Sequence, residues 1–223
     1  MYLLSSITCN IRKGKLYFIL GIIIISVVLI ATELIHELRG IPYGDLTRDP
    51  NAISLKPKYI GFVSQIGIFF WFGSVTACLM GSIFLKRFSG NIQYIRYLQF
   101  FSFFSFILGV DDVFMLHEES AHRGINEVMV YIIYIICFIF FILRFWTLVF
   151  KTNFPLLFIS GFFLAGSIFM DKFYSADFML EDSLKLSGIV FWFLYFFDTT
   201  LTFIFSTNSN REIKLNHKSS FEL

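Results

Sequence analysis

Two adjacent aspartates, Asp111 and Asp112, stand near the end of an apolar run, and His117, Glu118, Glu119 and His122 follow closely. Carboxylates accept hydrogen bonds or bind cations, and imidazoles move protons or ligate metals, so chemistry concentrates here. On a helix turning about 100° per residue, Glu118 falls about −20° from Asp111 and His122 about +20°, which makes one stripe. Asp112 and Glu119 form a second, about 80–100° away. Near the end of the first apolar run, Glu33, His36 and Glu37 share a face at i, i+3, i+4.

Glu33-x-x-His36 and Glu119-x-x-His122 repeat a spacing that supplies ligands in di-metal helical bundles, where carboxylates from other helices complete the set. Asp171, Glu181 or Asp182 are candidates for that part. The oxygen and nitrogen donors suit a divalent metal such as Zn, Fe or Mn. In this reading Asp111, His117, Glu118, His122 and Glu181 are ligands or support them, and Asp112 or Glu33 is a general base. The same residues also read as a hydrogen-bonded network without metal. Glu181 and Asp182 are then acids opposing a helix dipole, with Glu181 and Lys185 an i, i+4 pair, and His36 a surface histidine. Both readings stay open from sequence. Asp111 and Asp112 demand an account in either, because a bilayer penalises an unpaired carboxylate; a metal, an arginine or a proton relay would supply one.

The elements that must position these groups are membrane helices. Of 223 residues, 57% are hydrophobic and 15% charged, and the mean hydropathy is +0.73, outside the range of soluble domains. The 32 phenylalanines fit lipid-facing helix surfaces and need no binding role. The three cysteines, Cys9, Cys78 and Cys137, show no paired spacing and read as small buried hydrophobes. Apolar runs predict an all-α integral membrane bundle of six transmembrane helices over 16–35, 59–85, 97–116, 128–150, 152–170 and 186–206. A polar cytoplasmic tail, 207–223, follows. The first run is too long for a signal-peptide core and lacks an A-x-A site, so it reads as an uncleaved span.

Charge sets the orientation. Eleven of the 18 Lys and Arg fall on one side: Arg12, Lys13, Lys15, Lys86, Arg87, Arg96, Arg144, Lys151, Arg211, Lys214 and Lys218. The positive-inside rule makes that side cytoplasmic, with both termini inside, in a bacterial inner membrane. Thirteen of the 16 acids and three of the four histidines then lie toward the outer side. Deep in the inner half, Arg144 and Asp198 reach similar depths and are expected to pair. Ser64, Gly67 and Trp71 at i, i+3, i+7 suggest close helix packing, and Gly161 and Gly166 the same in the fifth span.

Thr47-Arg48-Asp49-Pro50, Ser64-x-x-Gly67-x-x-x-Trp71, Asp111-Asp112-x-x-x-x-His117-Glu118 and Glu181-Asp182-x-x-Lys185-x-x-Gly188 resemble a group of uncharacterised bacterial multi-pass membrane proteins. That resemblance spans most of the chain and implies no particular activity. The chain does not fit the CREST membrane hydrolases: His117 and His122 are not in H-x-x-x-H spacing, and six spans are expected rather than seven. The leading functional reading is a metal-dependent membrane enzyme acting on a lipid or lipid-linked substrate in the outer leaflet. The alternatives are a non-catalytic partner of another membrane protein, of immunity or assembly type, and a cation or proton transporter. The bilayer itself is a partner, and no nucleic acid is expected.

Overall fold

A computed structural model describes residues 23, 25–27, 29–47, 50–55, 57, 60–88, 91–117, 126–173 and 178–219. The chain divides into two compact units, 1–60 and 61–223. In the first, α1 (29–39) ends at Gly40, whose positive φ of +64° lets its N–H return to the His36 carbonyl. Short helices α2 (Tyr43–Thr47) and α3 (Pro50–Ile53) follow. Of the expected first span, 16–35, residues 16–22, 24 and 28 lie outside the described residues.

The second unit holds α4 (Phe62–Phe88), α5 (Ile92–Phe114), α6 (Glu127–Arg144), the short α7 (Trp146–Val149), α8 (Phe154–Phe173) and α9 (Phe178–Ser219). Among the described residues five helices are long and apolar enough to cross a bilayer: α4, α5, α6, most of α8, and Met179–Thr207 of α9. Their outward surfaces carry Phe69, Leu143, Phe158 and Phe162, each at least two-thirds exposed, as lipid-facing helices should.

Helix boundaries differ from expectation in the third, fourth and sixth spans. α5 starts at Ile92, five residues before the expected 97, because the Asn91 side chain accepts from the Gln93 and Tyr94 N–H groups. It ends at Phe114, with Met115 in the left-handed region, so Asp111 and Asp112 occupy its last turn. The fourth span breaks at Phe145 (φ −116°, ψ 19°), separating α6 from α7. α9 begins at Phe178, so Lys185 is inside a helix rather than in a connection.

α9 packs on α8 and α4, and α4 packs on α5. The α4–α5–α9 seam is filled by Trp71, Phe101, Phe104, Trp192, Tyr195 and Phe196. α6 joins through rings, with Phe138 against Phe101, Phe104 and Trp192, and Phe141 stacked on Phe100. Polar side chains tie neighbouring helices. Ser102 Oγ donates to the Val75 carbonyl at 3.0 Å, Ser160 Oγ to the Gly188 carbonyl at 2.8 Å, and Trp192 Nε1 to Ser105 Oγ at 2.9 Å. With no hydrophobic drive between helices in lipid, such bonds and close backbone approach carry association.

Small residues achieve that approach where α8 meets α9. A Cβ on Gly188 would lie 2.6 Å from Leu164 Cγ and 3.0 Å from the Leu164 main-chain nitrogen. The expectation for Gly161 is corrected, since a Cβ there would meet nothing within 4 Å, and at Gly166 only ordinary contact with Leu184 arises. Gly67 and Trp71 do face the seam, whereas Ser64 is exposed.

Candidate functional site

Alternating chain direction brings the ends of α5 and α8 and the starts of α6 and α9 to one end of the bundle. Their terminal acids therefore meet. Met115 (φ 47°, ψ 45°) turns the chain back on α5, its N–H bonded to the Asp111 carbonyl. The turn delivers His117 onto the Asp111 side chain: its main-chain N–H donates to Oδ1 and its ring Nδ1 contacts Oδ2, both at 2.9 Å. Asp111 is 8% and His117 12% exposed. A carboxylate only accepts, so with Asp111 ionised the proton of a neutral His117 sits on Nδ1 and Nε2 is the nitrogen without one. The Tyr131 ring lies 5.3 Å from the His117 ring, and the Tyr134 hydroxyl also interacts with Asp111.

Asp112, one residue on, points to a different helix. Its Oδ1 forms an ion pair with Lys185 Nζ of α9, and its side chain is only 6% exposed. A lysine thus offsets this carboxylate. Glu127 starts α6 and Asp171 lies near the end of α8, and both bind Lys172 Nζ. The Tyr131 hydroxyl donates to Glu127 at 3.3 Å. Glu181 feels the charges of Asp171, Asp182, Lys185 and Lys172, and these residues make up a polar belt at this end.

Of the residues singled out from sequence, Asp111, Asp112, His117 and Glu181 thus belong to one belt. Glu118 and His122 lie outside the described residues. Among the described residues no three His, Cys, Asp or Glu side chains form a group able to hold a metal. Glu33 belongs to the first unit, where it accepts from the Tyr43 hydroxyl at 2.7 Å. His36 stacks on Tyr43 at 4.0 Å and its Nδ1 meets the Ile41 carbonyl at 2.7 Å. Hydrogen bonding to Glu33, then the little burial it has, then the nearby Glu33 and Glu37 charges raise the Tyr43 phenol above its ordinary pKa. Arg144 and Asp198 form no ion pair among the described residues; the exposed Arg144 guanidinium lies 5.5 Å over the Phe145 ring. At the end of a membrane helix a long cation can snorkel toward the interface, which removes the need for a buried partner.

Sequence reasoning missed Lys185 as the partner of Asp112, and Lys172 as the link between α6 and α8. It also missed a second polar group at the opposite end. Tyr97 and Tyr195 hydroxyls meet at 2.6 Å, and Tyr195 meets Thr152 Oγ1 at 3.0 Å. Thr152 gives its proton to the Val149 carbonyl, so Tyr195 must donate to Thr152, and Tyr97 to Tyr195. The tyrosines sat in apolar runs, and only their burial reveals the relay.

No curated protein and no solved structure matches the chain. A family profile described as Domain of unknown function (DUF8692) matches residues 21–199, which take in the Asp111–His117 pair and the Asp112–Lys185 seam, and the chain belongs to that family.

Proposed function

We propose that this protein is a membrane-embedded enzyme acting on a lipid or lipid-linked substrate, with Asp111 and His117 as its acid–base pair. The observation that carries this reading is the doubly bonded, buried Asp111–His117 contact beside a second buried carboxylate. Apolar side chains would pack such a position as stably as ions do, so charges retained there point to chemistry. Asp111 fixes the imidazole in one tautomer and would stabilise its protonated form, while His117 takes or returns a proton at Nε2. Asp112, already holding Lys185, serves to place charge rather than to act as a base.

The described residues do not fit a metal by themselves: Asp111 uses both oxygens on His117, and lysines hold Asp112 and Glu127. A Zn, Fe or Mn site would depend on Glu118 and His122, and elemental analysis of the purified protein tests it. Transport fits the seam poorly. About 12 Å of helix separates Ser105 from Tyr97, and Phe101, Phe104, Trp192 and Phe196 fill that layer. Six spans, with both termini on the cytoplasmic side of a bacterial inner membrane, agree with the basic residues at the far end from the belt. Cysteine labelling at either terminus from each side checks that topology.

The activity test is conversion of isotope-labelled lipid extract by protein in nanodiscs, read by mass spectrometry. The wild type should generate a new lipid species that His117→Gln, monodisperse on gel filtration, does not. Equal conversion by both, or none by the wild type, overturns the proposal in favour of a non-catalytic partner role.

A further inference from the structure

The outward face of α5 carries a side chain that lipid cannot satisfy. Gln99 is exposed, and among the described residues its amide makes no hydrogen bond. Helical rise puts it about 10 Å inside the Ile92 end of α5, within the hydrocarbon for a span of that length. Arg96, one turn nearer that end, has a side chain long enough to snorkel out, and glutamine is shorter. A carboxamide facing acyl chains leaves a carbonyl and two N–H groups unmatched, which costs free energy until another polar group meets them.

The surroundings of Gln99 are shaped to admit one. Val75 and Leu79 of α4, with Gln99, Ser102, Phe103 and Phe106 of α5, line an outward-opening groove of about 350 Å³. Ser102 already donates its hydroxyl proton to the Val75 carbonyl at 3.0 Å, so the unmatched polar side chain of the groove is Gln99. Along α5, Arg96, Gln99, Phe103, Phe106, Val110 and Val113 recur at alternating steps of three and four, the seam spacing of paired parallel helices. All are exposed except the half-buried Val110, and Phe103, at 63% exposed, stands as a ridge beside the groove.

We propose that the α4–α5 groove is the interface with a second copy of this chain, joined amide to amide at Gln99. Copies insert in the same direction, so a two-fold axis along the membrane normal runs their α5 helices parallel and sets both Gln99 side chains at one depth. A primary amide is its own complement, since the N–H of each donates to the carbonyl oxygen of the other. The Phe103 ridge of each copy then enters the groove of the other. Gln99 fixes the register, as a single polar residue does in a coiled-coil seam. Acyl chains would fill the groove but leave both amides unmatched. The interface depends neither on the belt nor on any reaction there.

The test is energy transfer between donor- and acceptor-labelled full-length protein in phosphatidylcholine vesicles, followed as the lipid-to-protein ratio rises. The wild type should associate into pairs and dissociate on dilution. Gln99→Leu should move the midpoint about tenfold toward higher protein density, the loss expected for interhelical amide bonds, and Phe103→Ala should move it the same way. Phe162→Ala, which removes a ring 74% exposed on α8, should match the wild type. A monomer at every ratio, with acyl chains as the groove's occupant, overturns the proposal. So does pairing that Gln99→Leu, monodisperse on gel filtration, leaves undiminished, or that Phe162→Ala weakens equally.

Discussion

The Asp111 carboxylate grips His117 twice, through the main-chain N–H and ring Nδ1, each at 2.9 Å. One contact closes the turn after α5 and the other orients an imidazole, so a single side chain links helix termination to the candidate chemistry. Asp111→Asn keeps an acceptor for the main chain but loses the charge. It should lower stability by about 1–3 kcal/mol, the range for charge-assisted bonds, and Asp111→Ala by more. Thermal unfolding in detergent, read by intrinsic fluorescence, gives the order; equal loss for both would separate the turn from the carboxylate.

Breaking the Asp112–Lys185 pair from one side leaves a buried charge behind. Lys185→Met should cost about 3 kcal/mol, the low end for buried pairs because Lys185 is 37% exposed. Asp112→Leu added to Lys185→Met should recover much of that loss. A double-mutant cycle from denaturation curves measures the coupling, and simple additivity would refute it.

Direction in the tyrosine relay makes its members unequal. Tyr195→Phe strands the Tyr97 proton in a fully buried position and should cost about 1–3 kcal/mol. Tyr97→Phe removes only a donor, since Tyr195 still gives its proton to Thr152, and should cost about 1 kcal/mol or less. Reversal of this order in thermal scans would mean the protons run the other way.

Glycines in the last two spans divide sharply. Gly188→Ala forces a contact against the Leu164 backbone and should destabilise by about 1–3 kcal/mol. Gly161→Ala meets open space within a helix and should stabilise by up to about 1 kcal/mol. Melting temperatures of the two variants should therefore move in opposite directions.

The Tyr43–Glu33 staple should respond to alkali. Because the Tyr43 pKa is raised from 10.0, the neutral phenol is favoured in the folded form. The staple contributes fully below the ordinary tyrosine value and is lost as pH rises through the raised one. Difference absorbance between wild type and Tyr43→Phe should show one phenol ionising above pH 10; ionisation at or below it would mean no such bond.

Sequence reasoning reached the helical membrane class because runs such as 62–85 contain no charge, and lipid forbids most alternatives. It also singled out Asp111, Asp112 and His117, since ionisable groups at the end of an apolar run have few bland explanations. Partners were less accessible. Lys185 looked committed to Glu181 by i, i+4 spacing, whereas the ion pair it forms is with Asp112 on another helix. The third span was placed too late because Arg96 reads as a boundary, while the Asn91 cap starts the helix before it. Arg144 and Asp198 were expected at one depth but form no ion pair among the described residues, since residue counts suggest depth whereas azimuth depends on packing.

The aromatic layer between the polar belt and the tyrosine relay also has an electrical meaning. Phe101, Phe104, Trp192 and Phe196 interpose low-dielectric matter between the two groups, so much of any transmembrane voltage should drop across those rings. At about 2.3 kcal/mol per elementary charge per 100 mV, an ion at the belt gains little from the field until it passes them. A charged site can thus stand at one end of this bundle without opening a conducting path through those rings.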